Sequence, residues 1–200
     1  KLGAADYVGV HRTAHGLGIR TNSTMLYGHV ETYADRMEHL QMLRDLQDET
    51  GGFLAYIPLA YHPDDNELGK KLGRQGIATS GVDDLKNLAV GRLFLDNFSH
   101  VKSHWIMVTP FLSQIALHYG VNDLEGTVVR EKIYHAVGAT TQQSMTLDDL
   151  LRLIRGAGKI PAERDSFYNV LRTFDGGGQT AEDGEARPSA IRDLPSTVGA

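Results

Sequence analysis

The chain has 200 residues, of which 41% are hydrophobic and 22% charged, and its formal net charge is −5. This composition is that of a globular domain large enough to bury a core. We find neither the clustered basic residues of a nucleic-acid or membrane-surface protein nor an apolar run near the ~20 residues of a membrane span. The chain contains no cysteine, which excludes disulfides, thiolate zinc sites and cysteine-ligated iron–sulfur clusters within it. We expect a cytoplasmic protein.

The first third of the chain predicts two helices and two strands. Residues 7–15 are typical of a helix, and residues 19–27 are typical of a strand. Thr32 and Asp35 form a helix start signal, because the threonine hydroxyl can accept from the free N–H groups of the first turn. This second helix is expected to end near residue 50. The apolar run "FLAYIPLAY" then predicts a buried strand.

The remaining pattern is again one of alternating helices and strands. The predicted elements are a polar loop over 62–81, a helix over 83–97, a strand in "VKSHWIMV", a helix over 112–119, a turn or short strand in "GVNDLEGTVV", a helix over 129–137 and a helix that begins at Thr146. In this last helix Leu147, Leu150, Leu151 and Ile154 form an apolar stripe. Residues 175–200 contain few large apolar side chains and are expected to be disordered.

Strands that alternate with helices predict βα units and a parallel sheet. About four units fit into the ordered part, which is half of a β/α barrel or a small open sheet. In either architecture the functional edge lies where the strands end and the loops begin.

Two histidine pairs have spacings that raise the question of a metal site. His11 and His15 are four residues apart on one predicted helix, so that both side chains face the same way. The segment "HRTAH" lacks the glutamate of a metalloprotease helix, and a polar helix face is the favoured interpretation. His100 and His104 flank a loop-to-strand junction, which makes a shared ion awkward. We therefore predict no metal-ligating residues.

The first predicted strand has an unusual polar face. Alternation places Arg20, Asn22 and Thr24 on the same side. Polar side chains on a buried strand are costly unless they find partners. Two interpretations stay open. Either these side chains line a polar interior that holds a ligand, or the strand lies at a solvated edge of the sheet.

The ends of the first two strands carry polar groups that are candidates for a site. Gly28 permits close approach of the backbone to a ligand, or simply forms a tight turn. Glu31 is either a ligand acceptor or a helix N-terminal charge stabilised by the dipole. His29 and His62 follow successive strands and are expected on the same rim. The turn "GVNDLEGT" is a tight polar turn or a binding turn near a helix N-terminus.

Four longer segments resemble the aminofutalosine synthase family of radical S-adenosylmethionine (SAM) enzymes in the futalosine route to menaquinone. They are "KLGAADYVGVHRTAHGLGIRTNSTMLYGHVET", "LRDLQDETGGFLAYIPLAYHP", "NLAVGRLFLDNF" and "GVNDLEGTVVREKIYHAVGA". The resemblance covers residues 1–174. The related cyclic dehypoxanthinyl futalosine synthases share "LQDETGGF", but they usually have a glutamine where this chain has His62.

The resemblance implies the C-terminal half of a radical SAM β/α (TIM-type) barrel with a helical extension. In this family a [4Fe–4S] cluster on a CxxxCxxC motif cleaves SAM. The 5′-deoxyadenosyl radical then adds to 3-[(1-carboxyvinyl)oxy]benzoate, a transferase reaction that gives aminodeoxyfutalosine. Because this chain has no cysteine, it is expected to be a fragment that is inactive alone and that pairs with a missing N-terminal half or with itself. The alternatives are a cyclase fragment and a non-catalytic β/α protein.

The resemblance also suggests roles for individual residues. Those expected beside SAM are Tyr27, Gly28, His29 and Glu31. Those expected to bind the substrate are Arg20, Asn22, Thr24, Asn122, Asp123 and Thr127, with Gly126 in the same turn. His62 is the candidate catalytic residue, as an acid/base or orienting group. Arg130 and the pair Thr109-Pro110 depart from the family pattern, and no role is given to them.

Overall fold

A computed structural model describes residues 3–64, 66–73, 79–126, 144–174 and 191–193. Seven helices lie in these ranges: α1 (Ala4–Gly16), α2 (Tyr33–Thr50), α3 (Glu67–Leu72), α4 (Gly81–Phe94), α5 (Trp105–Val108), α6 (Pro110–Ala116) and α7 (Leu147–Gly156). The strands described are β1 (Thr21–Tyr27), β2 (Phe53–Ala60), β3 (His100–Ser103), β4 (Asp123–Leu124), β5 (Lys159–Arg164), β6 (Val170–Thr173) and β7 (Ile191–Asp193).

The first four strands form one parallel sheet in the order β1-β2-β3-β4. The prediction of a parallel sheet is therefore confirmed, and the described residues contain the strands of the four predicted βα units. Each strand pairs with the next along the chain, as in a β/α barrel wall. Across the sheet, Asn22 pairs with Ala55, Ala55 with His100, and Lys102 with Asp123. These side chains consequently share one face, which we call the inner face.

The opposite face of the sheet packs against the helices and forms the main core. From β1 it buries Ser23, Met25 and Tyr27, and from α2 it buries Leu40, Leu43 and Leu46. Strand β2 is buried along almost its whole length because helices cover one face and Tyr168 the other. The predicted buried strand is therefore confirmed.

Two predicted helix starts are present with their capping contacts. Thr32 accepts from the N–H of Asp35, and the Asp35 carboxylate accepts from the N–H of Thr32. Thr146 and Asp149 repeat this arrangement at α7. Helix α2 ends at Gly51, whose φ of 60° lies in the left-handed region that glycine adopts without strain.

Two segments differ from the sequence prediction. The polar loop over 62–81 contains α3, and Asn66 caps its N-terminus because its side chain accepts from the N–H of Gly69. The predicted strand "VKSHWIMV" ends at Ser103, and its apolar half forms the short helix α5 instead. All four residues of α5 are buried. An apolar run alone does not distinguish a buried strand from a buried helix.

After α7 the chain forms a second, antiparallel sheet in the order β6-β5-β7. The predicted extension was helical, and α7 is its only helical part among the described residues. Residues 191–193, inside the segment expected to be disordered, pair with β5. The other residues of 175–200 and the predicted helix over 129–137 lie outside the described residues, and the boundary at residue 174 stays a prediction.

The hairpin formed by β5 and β6 lies over the inner face of the parallel sheet. Tyr168, in its turn, packs against Leu54, Ala55 and Ile57 of β2. No helix in the described part of the chain is long and apolar enough to cross a membrane.

Candidate functional site

The end of β1 forms a tight loop around the carboxylate of Glu31. The backbone N–H groups of Gly28 and His29 donate to its two oxygens at 2.5 and 2.9 Å. Gly28 has a φ of 88°, which favours glycine at this turn. Burial opposes ionisation of Glu31, but these N–H donors outweigh it and lower the pKa of its carboxyl. Glu31 is thus an anion at neutral pH, held by the loop that precedes α2.

His29 lies on this loop with its ring orientation set by the backbone. Its Nδ1 accepts from the N–H of Val30 at 2.7 Å, and its Nε2 lies 3.2 Å from the carbonyl oxygen of Leu26. These two backbone contacts set the orientation of the ring. Nδ1 also lies 3.2 Å from a carboxylate oxygen of Glu31.

Arg36 joins this loop to α4. Its guanidinium lies 2.8 Å from Glu31 and 3.3 Å from Asp83, and it stacks 5.0 Å from the ring centre of Tyr27. A cavity of about 320 Å³ opens beside these groups. Its described lining consists of Gly28, His29, Glu31, Thr32, Tyr33, Arg36, Thr79 and Asp83. We call this cavity the rim pocket; Glu31 and Asp83 give it two carboxylates, and Arg36 gives it one guanidinium.

Tyr27 points away from the rim pocket. Its side chain is fully buried on the helix-covered face, and its hydroxyl donates to Asp84 at 2.8 Å. Burial, and then the charge of Asp84, raise the pKa of this phenol well above its ordinary value. Burial likewise raises the pKa of Asp84. Of the four residues expected beside SAM, the structure thus places Gly28, His29 and Glu31 at one pocket and the Tyr27 side chain behind it.

His62 follows the end of β2, and its side chain is buried. Its Nε2 lies 3.2 Å from the carbonyl oxygen of Met107. The backbone around it is held by Asn66, whose side chain donates to the His62 carbonyl at 2.8 Å. The imidazole thus bridges the ends of β2 and α5, and it is not among the described residues that line the rim pocket.

The polar face of β1 belongs to the inner face of the sheet. Asn22 and Thr24 are exposed there, whereas the alternate residues Ser23 and Met25 are buried under the helices. Arg20 is exposed before the first residue of β1. It is eight residues from Gly28, so along an extended strand the two are ~26 Å apart. The expected substrate residues of β1 therefore spread along the strand and do not gather at its end.

A network of charged side chains crosses the inner face at β3 and β4. Arg164 donates two hydrogen bonds to Asp123, at 2.8 and 2.7 Å, and the Tyr168 hydroxyl donates to the same carboxylate at 3.3 Å. Lys102 lies 3.6 Å from Asp123 and 3.3 Å from Glu125. Only Asp123 of these five was a predicted site residue.

A pattern in the sequence does mark part of this network. The segment "HVKSH" places His100, Lys102 and His104 at alternate positions, and "NDLE" places Asp123 and Glu125 likewise. Alternation in adjacent strands brings both sets to one face. Arg164 and Tyr168 arrive from the hairpin, for which local alternation provides no signal.

His100 lies at the start of β3, beneath the hairpin. Its ring stacks on Tyr168 with centres 4.1 Å apart, and burial lowers the pKa of His100 to about 4. The imidazole is therefore neutral at physiological pH. Within the described residues its buried Nδ1 has no hydrogen-bond partner.

The turn before β4 is held by Asn122. Its side chain accepts from Arg92 at 2.8 Å and from the N–H of Val101 at 3.0 Å, and it donates to the carbonyl of Ser99 at 2.9 Å. These contacts occupy the amide at the start of β3 and β4, on the side opposite the strand ends. Gly126 is exposed next to Glu125, and Thr127 lies outside the described residues.

His11 and His15 are joined by threonine hydroxyls. Thr21 lies 2.8 Å from Nδ1 of His11 and 2.9 Å from Nε2 of His15, and Thr50 lies 2.7 Å from Nδ1 of His15. Both rings also pack against Phe53. The two histidines therefore connect α1 to β1 and α2 from the polar helix face that the sequence predicts.

A parallel βα layer with a pocket at the strand ends and a polar inner face is the arrangement found in half of a β/α barrel. Comparison with known proteins agrees with this architecture. Residues 50–175 match the family described as "CofH/MqnC C-terminal region". The chain belongs to this family.

Several named proteins are similar to the chain. Aminodeoxyfutalosine synthase of Thermus thermophilus is 51% identical over 175 residues, which is 88% of this chain and 47% of the relative. The corresponding enzyme of Streptomyces coelicolor is 43% identical over 177 residues, 86% of this chain and 46% of the relative. The 5-amino-6-(D-ribitylamino)uracil–L-tyrosine 4-hydroxyphenyl transferase 1 of Methanosarcina acetivorans is 42% identical over 178 residues, 88% and 48% respectively. The chain thus spans about half the length of these relatives.

Proposed function

We propose that the chain supplies the C-terminal half of the catalytic domain of a radical SAM transferase of the aminodeoxyfutalosine synthase kind. The observation that carries the proposal is the 51% identity to the Thermus thermophilus enzyme across 88% of this chain. The parallel four-stranded sheet and the pocket at its strand ends support it, because barrel enzymes bind substrates at that edge.

The rim pocket has a donor set suited to SAM. Its two carboxylates complement a ligand with a sulfonium and an ammonium group, and Arg36 and the hydroxyl of Tyr33 complement the ligand's carboxylate and hydroxyls. Bound SAM would supply the adenosyl group that is transferred. In this proposal Glu31 and Asp83 orient the cationic end of the ligand, while the turn at Gly28 allows it to approach the backbone.

The chain does not fit the iron–sulfur cluster that the family implies. Such clusters are held by cysteine thiolates, and none of the 200 residues is cysteine. We therefore derive no step through a cluster on this chain. We propose that the ligands of the cluster come from the part of the barrel that the relatives have and this chain does not span.

The substrate is proposed to be 3-[(1-carboxyvinyl)oxy]benzoate, bound along the inner face. Asn22 and Thr24 are open to that side and offer hydrogen-bonding groups. His62 remains the proposed acid/base or orienting group, since it lies at the end of β2 next to the first strand end. Arg20 and Asn122 lie at the opposite end of the sheet and are weaker candidates for substrate contact.

The archaeal relatives favour a second candidate function. The Methanosarcina acetivorans protein, named for transfer of a 4-hydroxyphenyl group from tyrosine, is 42% identical, close to the 43% of the Streptomyces coelicolor aminodeoxyfutalosine synthase. Identity at that level does not separate the two activities. A fragment of a cyclic dehypoxanthinyl futalosine synthase is a further alternative, because those enzymes share the segment "LQDETGGF" with this chain.

A pair of chimaeras tests the proposal. Residues 1–174 replace the matching half of the Thermus thermophilus enzyme in one and of the Methanosarcina acetivorans enzyme in the other. Each purified, iron-loaded chimaera is supplied with SAM, a reductant and both sets of substrates, and products are identified by mass spectrometry. We expect aminodeoxyfutalosine from the first, its loss in His62→Ala, and full activity in the exposed control Lys86→Ala. Folded chimaeras that form only the tyrosine-derived product, or neither product, would overturn the proposal.

A further inference from the structure

Lys102 and Glu125 form an unequal ion pair at the wall of a second cavity. The lysine is buried, with 10% of its side chain exposed, whereas 29% of the Glu125 side chain is exposed. Their closest atoms, Nζ and Oε2, are 3.3 Å apart. Removing an ammonium group from water is costly unless it is well paired. The buried cation thus depends on a counter-ion that is itself partly open to solvent.

The second carboxylate near Lys102 is committed elsewhere. Asp123 receives both hydrogen bonds of the Arg164 guanidinium and one from Tyr168. At 3.6 Å, it lies beyond hydrogen-bonding distance of Lys102. An ammonium group has three N–H donors, and among the described residues only Glu125 accepts from it. Within the described residues, Lys102 therefore has N–H donors that its single hydrogen bond, to Glu125, does not use.

The cavity beside this pair combines charge with an apolar wall. Its volume is about 560 Å³, within the usual range for small-molecule sites. Lys102, Asp123 and Glu125 line the sheet side. Across from them α7 contributes Leu147, Leu150, Leu151 and Ile154. A ligand with an anionic head and an apolar body would match both walls.

We propose that this cavity binds a small organic carboxylate and that the ligand's carboxylate replaces Glu125 on Lys102. When the cavity is empty, the Glu125 carboxylate neutralises Lys102. When the ligand binds, its carboxylate takes that position and the Glu125 side chain turns towards solvent. The apolar body of the ligand rests against α7. Lys102 is thereby the residue that selects an acid over its neutral analogue. The proposal rests on the proposed function only for the identity of the physiological acid.

Binding of benzoate to the full chain tests this with variants whose effects have opposite sign. Titration calorimetry measures the dissociation constant at neutral pH and low salt. We expect Lys102→Met to weaken benzoate binding at least tenfold, because the cation is lost. We expect Glu125→Gln to tighten it about threefold or more, because the competing carboxylate is removed. The exposed Lys86→Met is the control and is expected to bind as the parent does.

Benzamide provides the matched uncharged probe. It has the same ring as benzoate but no negative charge to pair with Lys102. We therefore expect benzamide to bind the parent chain more weakly than benzoate does, and to bind Lys102→Met as it binds the parent. Equal weakening of benzoate binding in Lys102→Met and Glu125→Gln would indicate general damage and overturn the proposal, as would no change in either. If Lys102→Met does not fold, the direction of the Glu125→Gln effect decides alone.

The outcome is independent of the transferase assay. Benzoate binding requires neither SAM nor turnover. If the chimaera is inactive but the benzoate results are as expected, the carboxylate site is supported and the proposed function is not. If the chimaera is active but Lys102→Met binds benzoate as the parent does, the proposed function is supported and the carboxylate site is overturned.

Discussion

The guanidinium of Arg164 donates two hydrogen bonds to the carboxylate of Asp123, at 2.8 and 2.7 Å. Arg164 ends β5, and Asp123 begins β4, so the pair fastens the C-terminal hairpin to the inner face of the parallel sheet. Only 5% of the Asp123 side chain is exposed. The carboxylate therefore depends on this arginine for its charge balance, with Tyr168 and Lys102 as secondary partners.

Replacing Arg164 by methionine is expected to destabilise the protein substantially. The variant leaves Asp123 buried without its main partner, which costs about 3 kcal/mol of unfolding free energy. Denaturation by urea measures the change. The matched control is Arg172→Met, since Arg172 and Glu163 pair on the same hairpin with about half of each side chain exposed. That variant is expected to change stability by less than ~1 kcal/mol; equal losses would mean that the Arg164 pair does not anchor the hairpin.

Acid is expected to destabilise the protein through His100, which is buried, and through three partly buried histidines. Burial lowers the pKa of His100 from 6.5 to about 4 and lowers the pKa values of His11, His15 and His39. Below pH 6.5 the unfolded chain therefore binds more protons than the folded one, so stability falls as the pH falls. The contribution of His100 is complete above about pH 6.5 and is lost as the pH falls through about 4.

The variant His100→Gln isolates this effect. It removes the titrating group, so its stability should fall by about 2 kcal/mol less than that of the parent between pH 7 and pH 4.5. Urea unfolding at both values measures the difference. His118→Gln, at an exposed position, is expected to keep the pH dependence of the parent. An unchanged pH dependence in His100→Gln would contradict the prediction.

Loss of the cap at Thr32 is expected to weaken α2. The Thr32 hydroxyl accepts from the N–H of Asp35 in the first turn, and Thr32→Ala leaves that group without its acceptor. Such caps contribute about 1 kcal/mol. Thermal and urea unfolding should show this loss. Thr13→Ala is the control: its hydroxyl donates to the Gly9 carbonyl within α1, an arrangement that adds little to helix stability. A neutral Thr32→Ala would show that the cap is dispensable.

Two helical glycines should respond to alanine in opposite directions. At Gly91 in α4, a Cβ atom would lie 2.6 Å from the ring of Tyr56, which is fully buried. We expect Gly91→Ala to lower stability by about 1–3 kcal/mol because the helix must move from β2. At Gly9 in α1, no atom lies within 4 Å of the added methyl group. Gly9→Ala is expected to raise stability by about 1 kcal/mol through helix propensity. Urea unfolding of both variants measures the two changes in unfolding free energy. Changes of the same sign would contradict the prediction.

The loop of residues 28–31 shows how much of the candidate site residue types alone predict. The sequence placed Gly28, His29 and Glu31 at a strand end but left Glu31 open between a ligand acceptor and a helix N-terminal charge. In the structure the carboxylate accepts from the backbone of its own loop and pairs with Arg36 from the first turn of α2. Arg36 was not predicted, because its contact with Asp83 joins residues 47 positions apart.

Short-range sequence patterns by themselves determined several secondary-structure elements of this protein and their order. The caps at Thr32 and Thr146, the buried strand β2 and the parallel βα order follow from spacing within a few residues, and long matching segments indicated the family. Only the tertiary structure decided that "WIMV" forms a helix and that a hairpin covers the inner face. It also brought Lys102, Glu125 and Arg164 around one cavity. These features depend on contacts between distant segments, whose energies exceed local preferences and which periodicity in a single stretch cannot encode.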